Sequence, residues 1–454
     1  MKLLVLAGEE SGVHYAERIS AAVRARRPDV EIRGYSDYGF KTADLAVFGI
    51  WEVLRRIFYF LGVARTMKRA IREWRPDVVV TIDYPGMNLK LAAYAKGLGI
   101  PAVHIVCPQV WAWHRGRVPK VAAALTELLC FFPFEPEIFK GTDLNAKFIG
   151  HPLVGMVKGE GVTSVGTDPA KDVGTDPVSM GTDPAKDAVS TGTDPAKGMG
   201  TDPKMSTVFE RNERIIALLP GSRMGEIQRI LPRLLKAVTL IAEGQTLKDD
   251  GGQTLQVRGQ TLNEAGGQTL NETGGQTLKE ARGQTLKVVI PAANERAERE
   301  IGRILASFEG LPPVEVRRGQ ARALLRSADC AAVASGTATL EAALVRCPTV
   351  LVYAVSPLLA WILRRAITGV RHAGLANIIA EKCGFEPPMP ELLQEDFTSE
   401  AVAKQLTTWL SDPAARAEAS ARLDSAMAYL QADGDPIRIA AREILAAGKG
   451  QERR

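Results

Sequence analysis

The stretch KLLVLAGEESG, residues 2–12, decides the fold of the first half of the chain. An apolar run over Lys2–Ala7 has the length of a buried strand, and the apolar side chains after the turn recur at helical spacing. Gly8 and Gly12 bracket the turn. Backbone N–H groups at the helix start can meet an anionic or polar ligand there, although a turn that only closes a strand–helix unit has the same pattern.

The same pattern recurs along the chain. Apolar runs span 77–82, 101–107, 214–219, 288–291 and 330–334, and helical spacing follows several of them. Strands that alternate with helices build parallel sheets, and 454 residues with 46% apolar content suit two domains. The sequence therefore predicts an α/β protein with two Rossmann-like, doubly wound domains that face a central cleft.

Two low-complexity arrays interrupt this pattern. GTDP occurs five times within 158–206, and GQTL occurs six times within 244–287. Neither array has the apolar content of stacking repeats or the spacing of calcium-binding nonapeptides, so both are expected to be flexible insertions. The predicted domains are 1–157 and 207–414, the second interrupted by the GQTL array, and helices at about 415–448 are expected to pack back on the first domain.

Charge and cysteine content exclude several classes of protein. The net charge of +5, from 57 basic and 52 acidic residues, is too small to favour nucleic-acid binding along an extended surface. The five cysteines lack metal-ligand spacing, which indicates buried thiols in a reducing compartment. The N-terminal apolar stretch is too short for a signal peptide, and no run approaches the roughly 20 residues of a spanning helix.

Asp83 follows the apolar run that ends at Ile82. Ligands of open α/β sheets bind beyond the carboxyl ends of strands, so this carboxylate is a candidate general base that accepts a proton from an acceptor hydroxyl. Capping of the next helix is an alternative with equal standing, because Asp is a preferred N-cap and Pro85 would suit the first turn.

The loop PQVWAWHRGRV, residues 108–118, follows the third predicted strand. Trp111 and Trp113 beside arginines suit a sugar ring and a phosphate, although tryptophan is also a common core residue. His114 is a weaker candidate base than Asp83, because the sequence identifies no carboxylate that would orient it.

Two turns in the second half combine glycine with polar residues. In PGSR, Gly221 and Ser222 expose amides and Arg223 adds a bidentate cation, a combination that fits a diphosphate. The ending of a P-loop is missing, which argues against ATP hydrolysis.

The second of these turns is SGTATLE, residues 335–341. Ser335, Gly336 and Thr337 open a helix, and Glu341 in its first turn would hold the hydroxyls of a ribose. A cap at Thr337 with a surface Glu341 is the alternative. A nucleophilic Ser335 lacks the GxSxG pattern.

In chain order these motifs resemble the lipid A disaccharide synthase family of inverting glycosyltransferases, which have the two-domain GT-B fold. The resemblance is also carried by PFE at 133–135, GHP at 150–152, NIIA at 377–380 and PELLQ at 390–394. It covers nearly the whole chain outside the arrays. The segment WAW, with GHP and GSR downstream, is more specific than any single glycine loop.

The resemblance implies that the first domain binds 2,3-diacylglucosamine 1-phosphate as acceptor and the second binds UDP-2,3-diacylglucosamine as donor. It implies that Asp83 is the base, that Arg223 contacts the diphosphate and that Glu341 lies at the ribose. Asn377 and Gln394 complete the donor site. A base and a diphosphate clamp are sufficient for this displacement, so no essential metal and no cofactor are expected.

The resemblance also assigns residues to the acceptor side of the cleft. These are Gly8, Glu9, Ser11, Gly12, Asn88, Gln109, Trp111, Trp113 and His151. The chain departs from the family pattern at two places. Val13 and His14 stand where an aspartate usually follows Ser-Gly, and in the usual Asp-Phe-Asn only the final Asn88 is kept.

Residues 50–71 place apolar side chains on one helical face among arginines and lysines. Such a helix can lie in a headgroup layer, although burial against a sheet is the commoner outcome. Membrane contact is favoured because the implied substrates carry acyl chains, and 358–365 is a second candidate. The resemblance thus implies a cytoplasmic enzyme, peripheral on the inner face of the bacterial inner membrane.

Three rival functions are compatible with the architecture. A transferase for polyprenyl-linked precursors and a UDP-N-acetylglucosamine 2-epimerase would share it, but neither is expected to carry WAW and PELLQ. A non-catalytic nucleotide-binding scaffold is the third, and the joint presence of Asp83, Arg223 and Glu341 argues against it. The sequence carries no signal for the oligomeric state.

Overall fold

The computed structural model describes residues 1–8, 10–45, 56–113, 115–159, 213–244, 247–248, 254–255, 285–356, 359–361, 365, 367 and 369–449. Several features singled out from the sequence lie outside these residues. They are Glu9, His114, residues 50–55, residues 362–364, the GTDP array and most of the GQTL array.

The first domain is built on a parallel sheet with the strand order β2-β1-β3-β4-β5-β6. The strands are β1 (Lys2–Ala7), β2 (Glu31–Arg33), β3 (Val78–Ile82), β4 (Ala102–Ile105), β5 (Glu127–Cys130) and β6 (Asn145–Phe148). Helices cover both faces of the sheet, so the central strands are apolar throughout and do not alternate between polar and apolar residues. The strand order reverses between β1 and β3, which makes their carboxyl ends the topological switch point of this sheet.

A second parallel sheet has the order β11-β10-β7-β12-β13-β14. Its strands are β7 (Glu213–Leu219), β10 (Thr285–Ala292), β11 (Val314–Arg318), β12 (Cys330–Ala334), β13 (Thr349–Tyr353) and β14 (Glu391–Leu393). Here the order reverses between β7 and β12. Each sheet therefore has one switch point, and the turns at Gly8, Asp83, Gly221 and Ser335 follow the strands on either side of it. The tryptophan loop follows β4, the next strand in the first sheet.

The helices complete the two layers of each domain. They are α1 (Glu10–Arg26), α2 (Thr42–Leu45), α3 (Ile57–Trp74), α4 (Pro85–Gly97), α5 (Val118–Ala124), α6 (Pro152–Gly159), α7 (Met224–Ala242), α8 (Glu295–Leu305), α9 (Ala321–Ser327), α10 (Thr337–Leu344), α11 (Leu375–Lys382), α12 (Ser399–Ser411), α13 (Pro413–Ala428) and α14 (Pro436–Lys449). Among these described helices, none is both long enough and apolar enough to cross a membrane.

Helix α7 shows how the apolar pattern builds the core. Five apolar residues at helical spacing on one face are fully buried: Ile227, Ile230, Leu231, Leu234 and Leu235. Each such side chain contributes roughly 1.5–3 kcal/mol relative to an exposed one. This burial fixes α7 on the sheet and with it the position of the turn at its N-terminus.

The chain crosses between the domains at its C-terminal end. Helix α13 packs on α10, α11 and α12 of the second domain, so residues 413–428 do not return to the first domain as the sequence led us to expect. Helix α14 lies on α1 and β3 of the first domain. Lys147 reaches it from β6 through a 2.7 Å ion pair with Glu443.

The GQTL array has a different boundary from the predicted one. Strand β10 begins at Thr285, where it pairs with Glu213 of β7, so residues 285–287 belong to the sheet and not to the insertion. Within the array, β8 (Leu247–Lys248) and β9 (Thr254–Leu255) form an antiparallel pair.

Candidate functional site

The turn after β7 lies at the switch point of the second sheet and opens the 19-residue helix α7. The first amides of this helix have no intrahelical acceptors, and they carry the positive end of the helix dipole. Gly221 has a φ of 106°, and a Cβ there would lie 2.5 Å from Glu226 Oε2. Both the backbone conformation and this close approach therefore require glycine.

Arg223 is the N-cap residue of α7. Its Nη1 lies 3.3 Å from Glu226 Oε1, and its backbone amide donates to Glu226 Oε2 at 3.4 Å. The Arg223 side chain is 62% exposed, and an exposed pair of this kind is worth at most about 1 kcal/mol. An anion bound at the turn can therefore compete with Glu226, a residue that the sequence did not single out, for the guanidinium.

The turn after β12 lies on the other side of this switch point. Ser335 Oγ donates to Ala373 O at 2.9 Å, and Gly336, with a φ of 153°, is the N-cap residue of α10. Thr337 is the first helical residue rather than the cap, and Glu341 lies in the second turn rather than the first. These two placements correct the sequence-based description of this helix start.

Glu391, within the PELLQ motif, organises the loop before α11. Its Oε2 accepts from Ala373 N at 2.9 Å, and its Oε1 accepts from Gly374 N at 3.0 Å and from Asn377 Nδ2 at 2.8 Å. The PELLQ motif was recognised in the sequence, but no role was predicted for this carboxylate. The signal that could have found it is an acidic residue at the start of an edge strand with a glycine loop nearby.

Asn377 is fully enclosed, which corrects the expectation that it contacts the donor. Its amide is used by Glu391 and by both backbone groups of Met389. Gln394 has a φ of 54°, and its side-chain amide pairs with the backbone of Val355 in the orientation that satisfies both groups. Both side-chain amides thus hold loops at this edge of the second sheet.

The turn after β3 has an unusual backbone. Asp83 and Tyr84 have φ values of 48° and 52°, a conformation that costs energy in non-glycine residues and persists only where the surroundings enforce it. Asn88 enforces it here: its Nδ2 donates to Asp83 O at 2.8 Å and to Ile82 O at 3.2 Å. Tyr35 OH donates to Asn88 Oδ1 at 2.8 Å.

The structure separates the two interpretations of Asp83. The N-cap of α4 is Tyr84, with Pro85 in the first turn, so Asp83 does not cap the helix. Burial raises the pKa of the Asp83 carboxyl, while a hydrogen bond from Tyr84 N–H lowers it by a smaller amount. Asn88 is buried, so it positions this turn instead of touching an acceptor as the sequence predicted.

The first glycine turn packs directly against the Asp83 turn. A Cβ on Gly8 would lie 2.5 Å from the Tyr84 ring, and one on Gly12 would lie 3.5 Å from Ile82 O. Gly8 therefore allows the Asp83 turn to approach the end of β1 at the switch point, whereas a Cβ at Gly12 would make an ordinary van der Waals contact. Ser11 lies in α1, but its side chain is outside the described part of the chain.

The tryptophan loop divides into enclosed and accessible residues. Trp111 is 2% exposed, and its Nε1 donates to Glu135 Oε1 at 3.1 Å, so the core interpretation is correct for this residue. His151 is also buried, and its Nδ1 accepts from Leu153 N at 3.2 Å. The resemblance implied that both side chains contact the acceptor, but both are buried. Gln109 and Trp113 are exposed.

The two domains contact each other around these turns. Gly369 N, before α11, donates to Ala112 O of the tryptophan loop at 3.0 Å, and Lys382 Nζ donates to Gly369 O at 2.7 Å. Elsewhere, burial raises the pKa of the Tyr15 phenol on α1, and the negative charges of Glu341 and Asp83 raise it further. Carboxylates from both domains therefore act on one side chain.

Comparison with known proteins gives consistent matches over most of the chain. The family model described as lipid-A-disaccharide synthetase matches residues 3–168 and 270–441. The lipid-A-disaccharide synthase of Myxococcus xanthus is 31% identical over 89% of this chain and 87% of its own length. That of Neisseria meningitidis serogroup A is 30% identical over 98% of this chain and 97% of its own length.

Among solved structures, a protein described as a UDP-N-acetylglucosamine 2-epimerase from Listeria monocytogenes aligns with a TM-score of 0.51 at 11% identity. The alignment covers 99% of this chain and 96% of that chain. At this identity the likeness concerns the fold, a pair of parallel-sheet α/β domains of GT-B type.

Proposed function

Because the chain belongs to the lipid-A-disaccharide synthetase family, we propose that it transfers 2,3-diacylglucosamine from UDP-2,3-diacylglucosamine to the 6-hydroxyl of 2,3-diacylglucosamine 1-phosphate and releases UDP. The observation that carries the proposal is the placement of the polar turns. In each sheet they follow the strands at the switch point, where ligands of open α/β sheets bind.

The donor would bind at the ends of β7 and β12. The α7 N-terminus and the absence of a Cβ at Gly221 suit a diphosphate, and Arg223 supplies a charge-assisted, bidentate partner. Glu341, beyond the turn at Ser335, is the group we assign to the ribose hydroxyls. Asn377 and Gln394 act through the loops that they hold.

Asp83 would act as the general base of an inverting displacement. Its carboxylate takes the proton of the acceptor 6-hydroxyl while that oxygen bonds to the anomeric carbon of the donor. The bond from this carbon to the diphosphate breaks on the opposite face, and its electron pair leaves with UDP. The strained turn and the hydrogen bonds of Asn88 hold the carboxylate in place before the reaction begins.

The direct test offers the purified protein both acylated substrates and measures UDP release and disaccharide formation. The proposal expects both products in equal amounts. Release of UDP without disaccharide, or conversion of UDP-N-acetylglucosamine to its 2-epimer as the only reaction, would overturn it in favour of another activity of the same architecture.

The raised pKa of Asp83 predicts a pH dependence. Only the deprotonated carboxylate accepts a proton, so turnover should fall as the pH drops through this pKa. The acid limb of the kcat/KM profile should therefore lie above the ordinary aspartate value of about 3.9. A profile measured with saturating donor checks this, and an acid limb at or below the ordinary value would show that the buried carboxyl is not the titrating group.

A membrane-facing surface is proposed for the N-terminal part of α3. One face of this helix packs in the core through Val63, Met67 and Ile71, whereas Phe58 is 84% exposed and Ile57 and Leu61 are about half as exposed. Exposed aromatic and aliphatic side chains beside basic residues suit the headgroup layer of an anionic bilayer. We assign this surface to the cytoplasmic face of the inner membrane, where acylated substrates reside.

A second apolar site on the other domain accompanies this surface. Trp361 is 57% exposed, and the Arg365 guanidinium lies 4.0 Å from its ring centroid. A tryptophan with a stacked cation has an apolar body and a charged edge, which suits an interface between headgroups and acyl chains.

Phe58→Asp is expected to weaken binding to vesicles that contain anionic lipid by roughly tenfold or more, since burying a phenylalanine contributes roughly 1.5–3 kcal/mol. Co-sedimentation over a lipid titration measures it. Phe385→Asp is the matched control, because this exposed ring lies against Tyr429 on the second domain, with ring centroids 4.5 Å apart. Equal loss in both variants would contradict the assignment of α3.

A further inference from the structure

Cys107, Cys130 and Glu135 form a buried cluster in the first domain. Cys130 ends β5, Cys107 follows the neighbouring strand β4, and Glu135 lies in the turn beyond β5. The sequence predicted buried thiols without metal-ligand spacing. The thiols are buried, but the parallel pairing of β4 with β5 brings together residues that are distant along the chain.

The three potential ligand atoms, two Sγ and one carboxylate oxygen, all lie within 4.8 Å of one another. Around a tetrahedral Zn²⁺, bond lengths of about 2.3 Å to sulfur and 2.0–2.2 Å to oxygen place neighbouring ligand atoms roughly 3.5–3.8 Å apart. The separations in the cluster exceed the upper end of this range by at most about 1 Å, so the side chains must move closer by that amount to coordinate an ion.

Glu135 has the surroundings of a ligating carboxylate. Its Oε1 accepts from Trp111 Nε1 at 3.1 Å and its Oε2 accepts from Phe132 N at 3.0 Å. Such outer hydrogen bonds orient metal-binding carboxylates. In the described part of the chain, no lysine or arginine forms an ion pair with Glu135.

Three ionisable groups in one apolar region are costly to keep charged without a cation. A divalent cation would offset this cost and would displace the protons to solvent. Thiolate ligands favour ions of the Zn²⁺ type over Mg²⁺ or Ca²⁺.

We propose that Cys107, Cys130 and Glu135 bind one divalent ion of the Zn²⁺ class. Two metal–sulfur bonds and one metal–oxygen bond form, and no electron is transferred. The ion ties the ends of β4 and β5 to the turn that holds Trp111, so its role is to stabilise the tryptophan loop. The site contributes no step to sugar transfer.

Titration of the reduced, full-length protein with Co²⁺ tests the proposal. We expect thiolate-to-cobalt charge-transfer absorption that saturates at one equivalent and disappears when Zn²⁺ is added, together with a rise in Tm in Zn²⁺. Cys107→Ser and Cys130→Ser should each weaken binding at least tenfold. Cys383→Ser is the matched control, because this half-buried thiol lies in the second domain, and it should leave the titration unchanged.

A wild-type protein without charge-transfer absorption would overturn the proposal, as would a spectrum that survives both serine substitutions. Circular dichroism checks that the variants fold. If a variant fails to fold, thiol labelling of the wild-type protein tests the metal site instead. Protection of two of the five thiols by Zn²⁺ supports the site, and unchanged labelling contradicts it.

Discussion

Asp83→Asn is expected to lower kcat for disaccharide formation by about 10²- to 10⁴-fold, the usual contribution of a positioned general base. Asparagine tolerates positive φ and has nearly the same shape, so the strained turn at residue 83 should remain intact. The Kd for UDP should stay within about twofold, because the proposed UDP site lies at the ends of β7 and β12 on the other domain. Single-turnover kinetics and UDP titration measure the two quantities.

Asp29→Asn serves as the matched control, since this aspartate is exposed and pairs only with nearby Arg27 among the described residues. It should keep wild-type turnover. Loss of UDP binding in the Asp83 variant would instead assign that carboxylate a structural role, and full activity would remove it from the mechanism.

Gly369→Ala is expected to lower kcat/KM for the acceptor by roughly 5- to 150-fold. The added Cβ would lie 2.0 Å from Trp111 O, in the segment where Gly369 N–H donates to Ala112 O. Overpacking of this kind costs about 1–3 kcal/mol. Alanine can adopt the backbone conformation at this position, which is not left-handed. The expected effect therefore comes from the steric clash, which would push the two domains apart here. Steady-state kinetics at fixed donor concentration measures it.

Gly302→Ala is the matched control, because no atom lies within 4 Å of its Cβ position in α8. This substitution should preserve activity and stabilise the helix by about 0.5–1 kcal/mol. If the Gly369 variant works as well as the Gly302 variant, the contact between the tryptophan loop and the segment before α11 has no part in catalysis.

The fold could be predicted because its signals are local. Apolar runs mark β1, β3, β7 and β12, and a glycine or a polar residue marks each turn, so the two parallel sheets follow from the chain itself. The apolar face of α7 was predictable for the same reason, because its buried residues recur at helical spacing. Boundaries such as the start of β10 within the second array were not, because pairing with β7 and not local composition sets them.

The side-chain roles at the site depend on contacts between distant segments. Asn88 and Asn377 have the chemistry of ligand-binding amides, but Asn88 is used by Tyr35 and by the Asp83 turn, and Asn377 by Met389 and Glu391. Sequence spacing gives no sign of these partners. For the same reason, nothing in the sequence indicated that Cys107 and Cys130 lie close together, because their proximity depends on the register of two neighbouring strands.

We propose an inverting sugar transfer, with Asp83 as base on one domain and UDP on the other. The most direct measurement is the NMR assignment of the disaccharide formed from the two acylated substrates. We expect a 1→6 linkage whose anomeric configuration is opposite to that of the donor sugar. A product with retained configuration, or a linkage to any hydroxyl other than the 6-hydroxyl, would contradict it.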